Sequence, residues 1–148
     1  MHSYGRLAVM AVLSFIAMYI LMYAMVDTVF DAYPNLNQAY MAAVMAAPMV
    51  MIELLLMRPM YPNRIANAVI GVVCAVALVG FLYAIRSQTG IGNMQFLKSM
   101  IPHHSGAVLM CERARLTDDE IKRLCASIIE GQRTEITQMN ALIKRLEQ

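Results

Sequence analysis

Charge is scarce in the first half of this sequence. Residues 1–85 carry three basic side chains, Arg6, Arg58 and Arg64, and three acidic ones, Asp27, Asp31 and Glu53. With 59% hydrophobic and 15% charged residues overall, the chain lies well outside the soluble average of about half apolar and a quarter charged. The formal net charge is only +2, with no clustered basic face of the kind that nucleic acid requires, so a nucleic-acid partner is not expected. Cysteine is also sparse. Cys74, Cys111 and Cys125 make neither a disulfide framework nor a C-x-x-C zinc spacing. A di-iron oxidase would need several inward carboxylates with Glu-x-x-His pairs, and these are missing, so an enzyme is not expected.

What the chain has instead is methionine, fifteen in all, and long apolar runs. About 20 apolar residues at 1.5 Å rise each are needed to cross a bilayer. Three stretches qualify: Leu7–Val26, about Ala39–Met57, and Ile65–Ile85. The first is too long for the roughly 7–15-residue apolar core of a signal peptide, and "YAMVDTVF" offers no small-residue cleavage site, so it reads as a retained anchor. Prolines in "DTVFDAYPNLNQ" and "RPMYPNR" separate the segments. Residues 1–86 are therefore expected to form a transmembrane domain, in contact with membrane lipid.

Lys and Arg near segment ends are retained on the cytoplasmic side. Arg6, Arg58 and Arg64 fall on one side, against Arg86 and the acidic loop on the other. The expected topology has the amino terminus inside and everything after Arg86 outside. In a bacterium this is an inner-membrane protein with a periplasmic carboxyl-terminal domain.

Residues 87–93 read as a linker, and 94–148 as an antiparallel helical hairpin. Leu97, Met100, His104, Ala107, Cys111 and Ala114 recur at intervals of three and four, the seam of an amphipathic helix with Asn93 as its expected cap and Pro102 interrupting its hydrogen bonds. Thr117 followed by Glu120 reads as a capping box for a second helix with the seam Ile121, Cys125, Ile128, Gln132, Glu135, Met139, Leu142. Two helices cannot bury such seams alone. The expected fold is all-α, with hairpins of two copies completing a four-helix bundle, so a homo-oligomer is expected.

The polar residues of the hairpin stand in the wrong place for packing alone. Met100, His103, Ala107 and Met110 share one face of the first helix, with His104 and Cys111 on the adjoining strip, while Gln132 and Glu135 break the second seam one turn before Met139. An antiparallel turn near residue 117 brings these to one level. A buried imidazole or carboxylate must be satisfied by a partner or a metal. Thioether and imidazole together suit copper, Cu(I) in particular, rather than magnesium, calcium or manganese. The candidate ligands are Met100, His103, His104, Met110, Glu135 and Met139. Adjacent histidines on a helix point about 100° apart, so one is expected to ligate while the other binds a second ion or supports the site through Glu135. A hydrogen-bonded polar layer without metal is the simpler alternative.

"FLKSMIPHHSGAVLMCERA" followed by "IIEGQRTEITQMNALI" resembles the bacterial domain-of-unknown-function family numbered 305, with the pattern F-x-x-x-M-I-x-H-H-x-x-A-x-x-M, then Q-x-x-E-I-x-x-M. Phe96, Met100, Ile101, His103, His104, Ala107, Met110, Gln132, Glu135, Ile136 and Met139 match it over roughly residues 93–147, with Asn93 where the family often has Asp and Cys111 where it often has Ala. The resemblance implies a ferritin-like helical bundle, usually exported and associated with copper binding and copper tolerance.

The expected function is copper sequestration, tolerance or hand-over by a membrane-anchored protein. The alternatives are a copper-permeation protein, or an oligomerisation module without metal. Met41, Met45 and Met49, one helical turn apart on the second apolar segment, suggest the permeation reading, although Gly71 and Gly80, nine apart, make no Gly-x-x-x-Gly partner motif. Methionine is equally a flexible core filler. Glu53 is costly inside a bilayer and so either functional or paired with Arg58. Cys111 and Cys125 are open to a disulfide, to a metal role for Cys111, or to inert packing.

Overall fold

The computed structural model describes residues 3–148, so Met1 and His2 lie outside the described residues. These residues form five helices and no strand: α1 Ser3–Leu21, α2 Leu36–Leu56, α3 Arg64–Ser87, α4 Asn93–Arg113 and α5 Asp119–Leu146. Short 3-10 turns occur at Met22–Met25, Val29–Asp31 and Arg58–Met60. Three helices are long and apolar enough to cross a membrane. The chain divides into two compact units, one of residues 1–22 and 37–89, the other of residues 23–36 and 90–148.

The first unit is the three-helix apolar one. At about 1.5 Å per residue, the 24 residues of α3 extend about 36 Å, enough for a hydrocarbon core of about 30 Å. No residue of α3 is buried, and Val69, Val72, Val73, Val76 and Val79 all face outward. A helix apolar all round needs an apolar surrounding, which lipid provides. Leu7, Val50, Leu54 and Tyr61 form the core at one end, with Tyr4, Ile70 and Cys74 packed on it. There the hydroxyl of Tyr4 donates to Asn67 Oδ1 at 2.9 Å, and Asn67 Nδ2 donates to the carbonyl of Tyr61 at 2.8 Å. Asn63 caps α3 by accepting from the amides of Ile65 and Ala66. At the opposite end the Tyr40 hydroxyl donates to the carbonyl of Thr89. The start of α1 therefore meets the start of α3, and the start of α2 meets the end of α3, which is the up-down-up order of three successive helices.

In the second unit α4 and α5 pack as an antiparallel pair, around Leu97, Ile101, Met139 and Ile143. Cys111 and Cys125 are disulfide-bonded, with Cα atoms 5.3 Å apart, which decides among the three roles left open for them. Pro102 lies inside α4 without ending it. Both expected caps shift by one residue. Gly92, not Asn93, precedes α4, and Asp118, not Thr117, caps α5, accepting from the amides of Glu120 and Ile121. Asp118 wins because its carboxylate also meets the positive end of the helix dipole.

The loop between α1 and α2 belongs to this unit rather than being a bare connection. The Asp27 amide donates to Ser105 Oγ at 2.8 Å, Ser105 Oγ donates to Asp31 Oδ2 at 2.6 Å, and the Tyr33 hydroxyl donates to Asn140 Oδ1 at 2.8 Å. This contact rotates the buried face of α4. The residues covered are Leu97, Ile101, Ser105, Gly106 and Val108, not the expected series through Met100, Ala107 and Ala114.

Candidate metal centre

His104 stands on the strip of α4 that faces α5. Its side chain is only 14% exposed, and Nδ1 lies 2.9 Å from Oε2 of Glu135. The approach is close but not aligned for a hydrogen bond, so Nδ1 is buried without a hydrogen-bond partner. Distance alone would make this an ion pair, but a hydrogen bond depends on alignment, and the unsatisfied nitrogen is the more informative fact. A buried polar atom left in that state costs about 1–3 kcal/mol. Glu135 itself is about half exposed, at the rim of the pair of helices.

His103 points elsewhere. It is exposed, and its ring centroid is 6.0 Å from that of His104 with the planes at 59°. The two imidazoles diverge, as helical geometry requires.

The thioethers divide in the same way. Met139 is buried in the Leu97–Ile101–Ile143 cluster, and Met100 packs half-buried against that cluster beside Tyr33 and Ile136. Met110 is 55% exposed. Met100 and Met139 thus share one apolar cluster and His104 meets Glu135, whereas His103 and Met110 lie on the outer face of α4. Phe96, His103 and Met110 recur there every seven residues, with Met100 and Ala107 between them. This is the spacing of a helix–helix seam, and within one chain Phe96, His103 and Met110 of it are left exposed.

Among the described residues no three His, Cys, Asp or Glu side chains converge as a metal group. Imidazole and carboxylate alone do not complete a ligand set, so a metal here would need thioether sulfur. That combination fits a soft ion, and the unpartnered Nδ1 of His104 is the polar atom it would satisfy. Cys111 is committed to its disulfide and supplies no thiolate.

The remaining candidates fall in the three-helix unit. Met41 and Met45 are exposed on α2, whose buried face is Ala42, Ala46, Ala47, Val50 and Leu54. Glu53 accepts from the Tyr61 hydroxyl at 3.2 Å, so its bonding partner is tyrosine and not Arg58.

Ser105 and Gly106, directly after the histidines, were not singled out by periodicity. A Cβ on Gly106 would lie 3.2 Å from the carbonyl oxygen of Met25, too close for comfort, so the loop approaches α4 at a residue with no side chain. The signal was the pair of small residues itself, which marks a close backbone approach. Between loop and helices is a cavity of about 320 Å³, lined by Asp27, Asp31, Ser105, Val108, Arg133 and Ile136 among others.

Residues 88–148 match the family model described as Domain of unknown function (DUF305). A relative from Acanthamoeba polyphaga mimivirus, the "Uncharacterized protein L153", is 32% identical over 142 residues, covering 94% of this chain and 91% of that protein. The similarity therefore reaches beyond the matched domain into the apolar half. No solved structure matches the chain.

Proposed function

The chain belongs to the Domain of unknown function (DUF305) family, and from the donors on its α4–α5 pair we propose that it is a membrane-anchored copper-binding protein. It sequesters Cu(I) or hands it on, and contributes to copper tolerance, on the side of the membrane where the α4–α5 pair lies. Copper is cargo here, not the centre of a reaction, and no catalytic role is assigned.

The observation that carries the reading is the buried, unpartnered Nδ1 of His104 beside Glu135, on a helix whose neighbouring Met100 packs with Met139. A purely structural histidine layer would be expected to close its own hydrogen bonds, and this one does not. His104 through Nδ1, Met100 and Met139 would hold one ion, with the Glu135 carboxylate, 2.9 Å from that nitrogen, as a further oxygen donor beside it. His103 and Met110, facing outward, would bind a second ion or complete a site with another copy.

The exposed Phe96–His103–Met110 stripe supports association of two copies into a ferritin-like four-helix bundle. The disulfide supports an oxidising location, with the amino terminus and Arg58 in the cytoplasm and the α4–α5 pair outside, in a bacterium the periplasm. The permeation alternative would need copies of the chain to assemble around Met41 and Met45, which face outward from α2.

The test is titration of the full chain in mild detergent with a competing Cu(I) chelator, comparing wild type with Met100→Leu, His103→Ala, His104→Ala and Met139→Leu. Met→Leu keeps volume and apolarity, so weaker binding at unchanged helicity isolates the sulfur. Wild-type affinity in all four variants would overturn the site.

A further inference from the structure

The end of the three-helix unit that carries the arginines holds a cavity of about 670 Å³ between α2, α3 and the turn joining them. Leu54, Leu55, Ala68 and Gly71 give the lining an apolar wall, and Arg58 and Arg64 also line the cavity. Neither guanidinium has a hydrogen bond or ion pair among the described residues. The one carboxylate nearby in sequence, Glu53, is occupied by the Tyr61 hydroxyl. Asn67, also on the lining, is engaged on both sides of its amide by Tyr4 and Tyr61. The cavity thus offers two uncompensated guanidinium groups next to an unfilled apolar wall.

We propose that this cavity binds one anionic phospholipid, with its phosphodiester between Arg58 and Arg64 and an acyl chain along the Leu54–Leu55–Ala68–Gly71 wall. Guanidinium is the side chain best matched to phosphate, because its fork makes paired charge-assisted hydrogen bonds. The positive-inside rule puts these arginines at the cytoplasmic leaflet, where anionic lipids are concentrated, and a basic pocket between membrane helices on that side suits an anionic head group. A free inorganic phosphate would meet the arginines but leave the apolar wall uncovered and most of the 670 Å³ unfilled. A zwitterionic lipid would fill the wall and bring a phosphodiester, but its quaternary ammonium would offset that charge beside the two guanidinium groups. Gly71 leaves the wall open, for a Cβ added there meets no heavy atom within 4 Å. The site needs only the membrane-spanning reading of α2 and α3 and is independent of copper.

Native mass spectrometry of the full chain in mild detergent tests it, with dioleoylphosphatidylglycerol or dioleoylphosphatidylcholine added. Wild type is expected to retain the anionic lipid about tenfold more than the zwitterionic one, whose ammonium offsets the phosphodiester charge that the guanidinium groups meet. Arg58→Gln with Arg64→Gln should remove that preference. Gly71→Leu, which grows into the cavity, should lower retention of the anionic lipid at unchanged helicity. The arginine variants, on exposed side chains, decide the matter if Gly71→Leu unfolds. Equal retention of the two lipids by wild type, or a preference surviving in the double arginine variant, overturns the proposal. So does full displacement of the lipid by millimolar inorganic phosphate, which would make the ligand a free anion.

Discussion

The hydroxyl of Ser105 donates to Asp31 at 2.6 Å while accepting from the amide of Asp27 at 2.8 Å, joining the loop between the first two helices to the helix that carries both histidines. Ser105 is fully buried. Ser105→Ala would leave an amide and a carboxylate without their partner, a cost of about 1–3 kcal/mol. The expected result is a lower melting temperature and faster hydrogen exchange at the Asp27 amide. Unchanged exchange there would mean that the loop is held by other contacts.

Glu135 lies 2.9 Å from the nitrogen of His104 that would meet the ion, so its carboxylate belongs to the proposed site. Glu135→Gln keeps the size of the side chain and removes its charge. Copper affinity should then fall about 10–100-fold, the scale on which carboxylates at a metal site contribute. Chelator competition measures this, and an unchanged affinity would detach Glu135 from the site.

Cys111 and Cys125 close a loop at a sequence separation of 14. A bridge of that span stabilises by about 3 kcal/mol in the chain-entropy model. Cys125→Ser should therefore lower the denaturation midpoint of the α4–α5 unit, and thiol labelling of the unfolded wild type should find only Cys74 reactive until a reductant is added.

The Phe96–His103–Met110 stripe gives a prediction about assembly. Met110, 55% exposed in a single chain, should become protected when two copies meet. Met110→Glu places a charge on the seam and should shift the protein towards monomer in sedimentation measurements. A wild type that is monomeric at micromolar concentration would refute the shared bundle.

Tyr61 yields a prediction for alkaline conditions. Burial, and then its hydrogen bond to Glu53, raise the phenol above its ordinary value of 10.0. Folding therefore favours the neutral phenol. Its contribution is fully present below pH 10.0 and is lost as pH rises through the raised folded-state value. Spectrophotometric titration should find one tyrosine ionising late, absent in Tyr61→Phe. Tyr61→Phe should also lose less stability on the alkaline side than wild type.

The apolar runs by themselves determined that three helices are suited to a membrane, because length and uniform hydrophobicity need no partner to be recognised. Charge position and proline made their boundaries legible to within a few residues. Periodicity likewise determined that a helical pair follows, and the methionine, histidine and glutamate spacing placed His104 and Glu135 at one level. Periodicity names a face but not what covers it. That the loop of Asp27 and Asp31 lies on Ser105 and Gly106, 74 or more residues later in the chain, was decided only by tertiary structure. With that partner the buried face of α4 turned to Ile101 and Val108, which left Phe96, His103 and Met110 outside. The same packing decided which histidine meets Glu135 and brought Cys111 to Cys125. Adjacent residues on a helix differ by about 100°, so a covering element on one side separates the roles of two identical side chains that the linear sequence presents as a pair.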